Sequence, residues 1–219
     1  MLDTGKFSFS LSNYKSLFDD DWFWKGAKNT TIYMIYAVPI TVCISIILAL
    51  EIKAVNCMRR LVIISFFFPM ITSGSAIGYV WRYMFHERVG LLNYCFSSIG
   101  ITPVRWLSDI RFTMVSMLVF GVWKAVPLAT LLLYSGLSQI DDSLSEAASI
   151  DGANRGQVIF YIILPLWLNT VFAVTLINAI NFIKVFDELF FLFQGKPGPF
   201  YIFIRSFIIF IRKCASPKP

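Results

Sequence analysis

Four long runs almost free of charge decide what this chain can fold into. Residues 31–50 carry none before Glu51, 61–81 none before Arg82 and 156–183 none before Lys184, while 112–136 is interrupted only by Lys124. The hydrocarbon core of a bilayer is about 30 Å thick and takes roughly 20 apolar residues as helix, since no water is there to bond an open backbone. Each run meets that length. The 219 residues are 57% hydrophobic and only 15% charged, more apolar surface than one soluble core of that size can hide. Trp22, Trp24, Tyr79, Trp81, Tyr83, Tyr94 and Trp106 gather near run ends, where amphipathic rings suit the headgroup region. The reading is an all-α, polytopic transmembrane helix bundle with spans at about 31–50, 61–85, 112–136 and 159–183.

The other residues exclude several functions. The net charge of +6 is scattered over short loops without a basic stripe, which argues against nucleic acid. Cys43, Cys57, Cys95 and Cys214 lack the spacing of a metal site or redox pair and read as apolar filler. The single histidine, His86, has Glu87 beside it but no second histidine to help bind a metal. With no glycine-rich phosphate loop either, no catalytic, cofactor-binding or metal-binding residue is assigned and no cofactor is expected. Residues 1–28 are polar, with Asp19, Asp20 and Asp21 in sequence, so the chain is read as starting in water. Orientation stays open on charge alone: Lys53, Arg59 and Arg60 favour a cytoplasmic first turn, but Arg82, Arg88, Arg105 and Arg111 lie across the bilayer from it. No internal repeat or linker marks a second domain.

The most informative stretch is 137–158, LSQIDDSLSEAASIDGANRGQV, too polar for lipid yet patterned as helix. Ser143 and Glu146 have the S-x-x-E spacing of a capping box, while Asp141 and Asp142 also read as capping acids. Ile140, Leu144, Ala147 and Ala148 fall on one face, where small alanines let a partner approach. Gly152 supplies the left-handed position that ends a helix, and Asn154 with Gln157 caps the next one. The segment is expected to form a helix, turn, helix elbow in water, and an apolar face there without lipid invites a protein partner.

Glu146-Ala147-Ala148, Asp151-Gly152-Ala153, then Ile162, Leu164 and Pro165 resemble the EAA-loop pattern of binding-protein-dependent ABC transporter permeases. Asn29-Thr30, Phe67-Phe68-Pro69, Gly78, Trp81-Arg82, Gly90-Leu91-Leu92-Asn93, Trp106-Leu107, Trp123-Lys124, Pro127 and Phe186-Asp187 are similar to the carbohydrate-uptake, maltose-type branch. The resemblance covers most of residues 8–195. It implies a cytoplasmic coupling elbow at 137–158 that docks on an ATP-binding-cassette ATPase dimer, through Leu144, Glu146, Ala147, Ala148, Asp151, Gly152 and Ala153. It further implies a second permease subunit, an extracytoplasmic solute-binding protein and a sugar or similar polar solute, in the plasma membrane of a prokaryote. Residues 1–30 then form an extracytoplasmic segment, 31–195 the permease domain, and 196–219 a degenerate or shortened final span with a basic tail. A proline is usual where Asp141 stands and a Gly-Gly-Pro-Gly-like turn where Gln194 to Pro199 stand. A further span ahead of residue 1 is also usual, so the chain is expected to be shortened or altered at both ends.

Several residues carry two readings. Glu146 caps its helix, touches the ATPase, or does both. Lys124, near mid-span, serves the solute path, a subunit contact or the fold, because a charge there needs water or a partner. Thr175, Asn178 and Asn181 recur at helical spacing ahead of Lys184, Asp187 and Glu188. They line an aqueous path or bond between helices. Lys124, Asn178, Asn181 and Asp187 are the candidate pathway residues. A secondary transporter or channel that needs no ATPase is the rival reading, and the elbow is what separates the two.

Overall fold

The structure is a computed structural model that describes residues 18, 19, 21–54, 59–184 and 187–193, without the side chains of Trp22, Arg59, Arg60, Phe67 and 187–189. Most of the N-terminal segment, the 196–219 tail, the Gln194–Pro199 turn, Phe186, Cys57 and Cys214 lie outside the described residues. The helices are α1 (Asp21–Ala54), α2 (Arg59–Ile71), α3 (Gly74–Met84), α4 (Leu91–Ser98) and α5 (Ile110–Leu137). After them come α6 (Asp142–Ile150), α7 (Arg155–Val158), a π turn (Ile159–Ile163), α8 (Leu164–Lys184) and α9 (Asp187–Phe193). Among the described residues no strand occurs.

Among the described residues three helices are long and apolar enough to cross a membrane: Phe23–Ala54, Ile110–Leu137 and Arg155–Lys184. The first begins well before the uncharged run, because the polar residues from Asp21 onward extend the same helix and Thr30 and Thr31 return their hydroxyls to the carbonyls of Gly26 and Ala27. The 61–85 run, read above as one span, is instead two helices, Leu61–Ile71 and Gly74–Met84, at 98° to one another. Together they supply a fourth crossing only if the bent pair counts as one. At the break the Thr72 hydroxyl donates to the Phe68 carbonyl at 2.8 Å, a back-bond that bends helices, and Ser73 leaves helical geometry at ψ 133°. Pro69 inside α2 weakens the same turn.

The bundle is built on α1 against α5. Buried Tyr33, Ala37, Thr41, Ser45, Ala49 and Ile52 form a stripe along α1 at helical spacing. Small side chains there let the backbones approach, and dispersion over the close contact replaces the hydrophobic drive that lipid removes. On α5, Gly121 lies so close to the Tyr33 hydroxyl that a Cβ would overlap it, and at Gly136 a Cβ would come within 2.5 Å of the Thr170 side chain of α8. The opposite face of α1, with Ile35, Tyr36, Ile40, Ile44 and Ile47, is exposed as a lipid-facing surface must be. α8 joins through Trp167, fully buried, whose Nε1 donates to the Leu133 carbonyl at 3.0 Å. Pro165 has no N–H to give and crowds the preceding turn. The chain widens there, and the Leu164 N–H reaches back five residues to Ile159.

Two cores result. One is aromatic, with Tyr33, Trp81, Phe85, Phe120 and Phe182, and lies toward the 86–109 loop. The other is mostly aliphatic, with Ala49, Ala129, Leu133, Leu137 and Val158, and lies toward the 138–157 elbow.

Candidate functional site

The elbow is assembled from three local devices. The first is its N-cap, and here the structure departs from the spacing argument: Asp141, not Ser143, caps α6, its Oδ1 accepting from the Ser143 N–H at 2.9 Å. The backbone N–H of Ser143, then its hydroxyl, hold the Asp141 carboxyl below its usual pKa of 3.8. Helix therefore starts at Asp142, which leaves Ser143 and Glu146 within the first turns and not as a reciprocal box. Asp141 supplies the same start that a proline gives, by bonding an orphan amide instead of fixing φ.

The second device is the stop. Gly152 has φ +89°, the Ala153 N–H bonds the Ala148 carbonyl at 2.9 Å and the Gly152 N–H bonds that of Ser149 at 3.2 Å. This is a complete Schellman closure. The third is a true capping box: Asn154 Oδ1 accepts from the Gln157 N–H at 2.9 Å and Gln157 Oε1 from the Asn154 N–H at 2.8 Å. These bonds cap the start of α6 and close the 151–154 bend, and paired backbone groups resist bending there without a core of the elbow's own.

Its faces differ from the sequence expectation. Ile140, Ala148 and Ala153 pack against the aliphatic core, but Leu144 is 45% exposed and Ala147 is also exposed. Ala147 instead falls on the exposed row Ser143, Glu146, Ala147 and Ile150, one position round the helix from Ala148. Ile150, 87% exposed, is the most exposed large hydrophobic side chain described. Asp141, Glu146 and Asp151 are exposed on the elbow with Arg155, and Asp142 is ion-paired with Lys53, so this surface carries more acid than base beside its apolar Ile150.

A second feature lies at mid-bundle. A cavity of about 380 Å³ is bounded by Pro69 and Met70 of α2, by α5 near Lys124, and by the end of α8. Lys124, Asn178, Asn181 and Lys184 line it, so three of the four candidate pathway residues meet at one place. The fourth, Asp187, begins α9, and its side chain is not described. Asn178 donates through Nδ2 to Val174 O at 2.9 Å, and the Thr175 hydroxyl to Val171 O at 2.7 Å, both within their own helix and not between helices as the alternative reading had it.

One residue the sequence reading left as part of a motif organises the opposite end. Asn93, 4% exposed, donates through Nδ2 to the carbonyls of Glu87 at 3.0 Å and Val104 at 2.9 Å. Its Oδ1 accepts from Val104 N at 3.0 Å and Trp106 Nε1 at 2.9 Å. His86 Nδ1 accepts from the amides of Arg88 and Val89, which makes it a turn cap. Gly90 follows it because a Cβ there would overlap the backbone of Met84 and His86. An asparagine among apolar neighbours eleven and thirteen residues before its partners gives no local signal. Among the described residues no group of His, Cys, Asp and Glu could hold a metal ion.

Residues 22–211 match the model of the binding-protein-dependent transport system inner membrane component family. The chain is 34% identical to the arabinooligosaccharides transport system permease protein of Halalkalibacterium halodurans, over 86% of this chain and 60% of the relative. It is 30% identical to the trehalose/maltose transport system permease protein of Thermococcus litoralis, over 86% of this chain and 64% of the relative. The chain thus spans less than two thirds of either relative's length. Among solved structures, the bacterial alginate ABC transporter in complex with an alginate pentasaccharide-bound periplasmic protein shares the fold. Its TM-score is 0.77 at 20% identity, over 94% of this chain and 73% of that one.

Proposed function

We propose, for a chain that belongs to the binding-protein-dependent transport system inner membrane components, that it is the permease subunit of an ATP-driven importer for a sugar or a similar polar solute. It is a multi-pass protein of the prokaryotic plasma membrane, and its family is a non-catalytic membrane component. Its energy then comes from a separate ATPase pair that docks on the elbow. A second permease subunit completes the solute path, and a solute-binding protein delivers the cargo at the 86–111 side. The relatives named for trehalose/maltose and arabinooligosaccharides support a carbohydrate cargo.

The observation that carries this reading is the outward row of α6. Exposed apolar side chains elsewhere lie mostly on helices that lipid can cover, whereas Ile150 stands on a polar elbow with Glu146 and Asp151 beside it. A rigid element with an apolar centre and a charged rim has the composition of a protein contact. Closure of the ATPase pair on ATP pushes this row. The Schellman closure and capping box pass the push to α5 and α8 without bending, and the bundle turns from inward-open to outward-open. Lys124, Asn178 and Asn181 offer the moving solute hydrogen-bond donors and acceptors at the cavity, with Asp187 on the element that follows.

The test is copurification from the native host with a tag on this chain. A nucleotide-binding subunit and a second membrane subunit should accompany it. The substitution Ile150→Asp should lose the former and keep the latter, since removing an interface anchor costs about 2 kcal/mol, roughly thirtyfold in affinity. Sidedness gives an independent check. In a cysteine-free chain, Ser149→Cys should resist an impermeant thiol reagent in intact cells while Ser98→Cys is labelled, because α5 separates the two exposed sites. Labelling of Ser149→Cys from outside would end the importer reading.

A further inference from the structure

We infer that Lys53 is a positioning residue that sets the angle of the elbow against the bundle, with Asp142 as its partner. The inference rests on the coupling role proposed above. Lys53 lies in the last turn of α1, and its Nζ is 2.8 Å from Asp142 Oδ1 and donates to the Leu137 carbonyl at 3.3 Å. Leu137 is the last residue of α5 and Asp142 the first of α6. One ammonium therefore joins three segments: the end of α1, the carbonyl end of α5 and the first turn of the elbow.

The chemistry suits each contact. The terminal carbonyls of a helix carry partial negative charge that a cation satisfies, and a carboxylate is favoured in a helix's first turn. Lysine's compact ammonium, with three donors, can serve a carbonyl and a carboxylate at once. Beneath it, Ile140, Ala148 and Ala153 press on Ala49, Leu133, Leu137 and Val158. Those contacts hold the elbow down but are non-directional, and small side chains let it slide. The ion pair supplies the direction. Asp142 is 73% exposed and Lys53 25%, so the pair adds little to overall stability, and its effect lies in alignment. A push on α6 consequently reaches α1 as well as α5, and the three move together.

The experiment uses the complex purified from its host, with the chain's cysteines replaced and spin labels at Ile35→Cys on α1 and Ser149→Cys on α6, both exposed positions. Distances are measured without nucleotide and with ATP and vanadate. The unaltered pair should give one narrow distribution in both states, since the elbow and α1 move as a unit. Lys53→Met and Asp142→Asn should each broaden it at least twofold, and the double variant should broaden it no further than Lys53→Met alone, because the two side chains act through one contact. Distributions in both single variants as narrow as that of the parent would overturn the inference. So would a double variant in which the two broadenings add. A second label pair, Ser98→Cys with Ser149→Cys, reports the driven motion itself. If that pair ignores nucleotide, the coupling reading fails, while the nucleotide-free widths still decide whether Lys53 holds the elbow.

Discussion

Two of the described segments leave the bundle, and they solve opposite problems. The 86–109 loop folds inward on Asn93: that side chain is buried, engages carbonyls and amides from residues 87 to 104, and takes the Trp106 indole N–H. The 138–157 elbow buries no residue of its helix α6 and satisfies its backbone with caps at either end. The first turns the buried Asn93 on itself, and the second uses Asp141, Asn154 and Gln157 as caps while Glu146, Ala147 and Ile150 stay exposed. A segment that is complete alone serves as scaffold, whereas a stiff segment with nothing buried is complete only against a partner. A polar loop on a membrane protein is thus not one kind of object, and the pattern of its hydrogen bonds separates the kinds.

The contrast is broken most severely at Asn93. Replacing Asn93 by Leu leaves the Trp106 indole N–H, the Val104 amide and two carbonyls without their partner. A buried group left unsatisfied costs about 1–3 kcal/mol, and with several exposed at once the loss is at least about 3 kcal/mol. At roughly 3 °C per kcal/mol for a chain of this size, melting in detergent should fall by about 10 °C. Glu146→Leu, on the exposed elbow, should move it by about 1–2 °C at most. Equal shifts for the two variants would remove the distinction between scaffold and contact surface.

The next effect is on transport and not on stability. Gly152 stands at φ +89° with nothing within 4 Å of where a Cβ would sit, so Gly152→Val meets no neighbour and only the backbone objects. That strain is about 1–3 kcal/mol for a side chain in the left-handed region, and the elbow can shed it by turning α6. On the coupling role proposed above, solute uptake should drop about tenfold, while membrane level and association with the copurifying nucleotide-binding subunit stay within twofold. Unchanged uptake would show that the direction of α6 does not matter to coupling.

What the sequence revealed and what it hid follow from the range of the interactions concerned. The uncharged runs, Gly152 as a helix stop, and the Asn154 and Gln157 cap were legible because each depends on residues within a few positions. The Ser143 and Glu146 box misled for the same local reason: Asp141 competes for the Ser143 amide, and spacing alone does not rank the two acceptors. The break at Thr72 and Ser73 divides a run read as one span, because hydropathy averages over the bend. Asn93's bonds to Val104 and Trp106 and the tie between Lys53 and Asp142 depend on partners eleven or more positions away, which only the tertiary structure brings together. The cavity is intermediate. Lys124, Asn178 and Asn181 stood out by polarity within apolar runs, but their meeting point required the crossing of α5 and α8.

The smallest effect tests whether the elbow's stiffness resides in its caps. Asp141 is fully exposed, and its carboxyl is held below 3.8 by the Ser143 amide and then its hydroxyl, so folded α6 prefers the ionised form. Because the folded pKa lies below the unfolded one, this stabilisation is complete above the unfolded value and disappears as pH falls through the folded pKa. Amide exchange across 141–152, corrected for its intrinsic pH dependence, should therefore show protection that is flat near neutrality and declines below pH 3.8. Asparagine also caps but does not titrate, so Asp141→Asn should keep protection near neutral pH and lose the decline. Asp141→Ala should lower protection at every pH. If the Asn variant declined with acid as the parent does, another group would be titrating and the cap at Asp141 would not be what stiffens the start of α6. Peptides covering 86–100 should exchange alike in all three chains at each pH, because that loop's bonds run through Asn93, His86 and its own backbone and none involves Asp141.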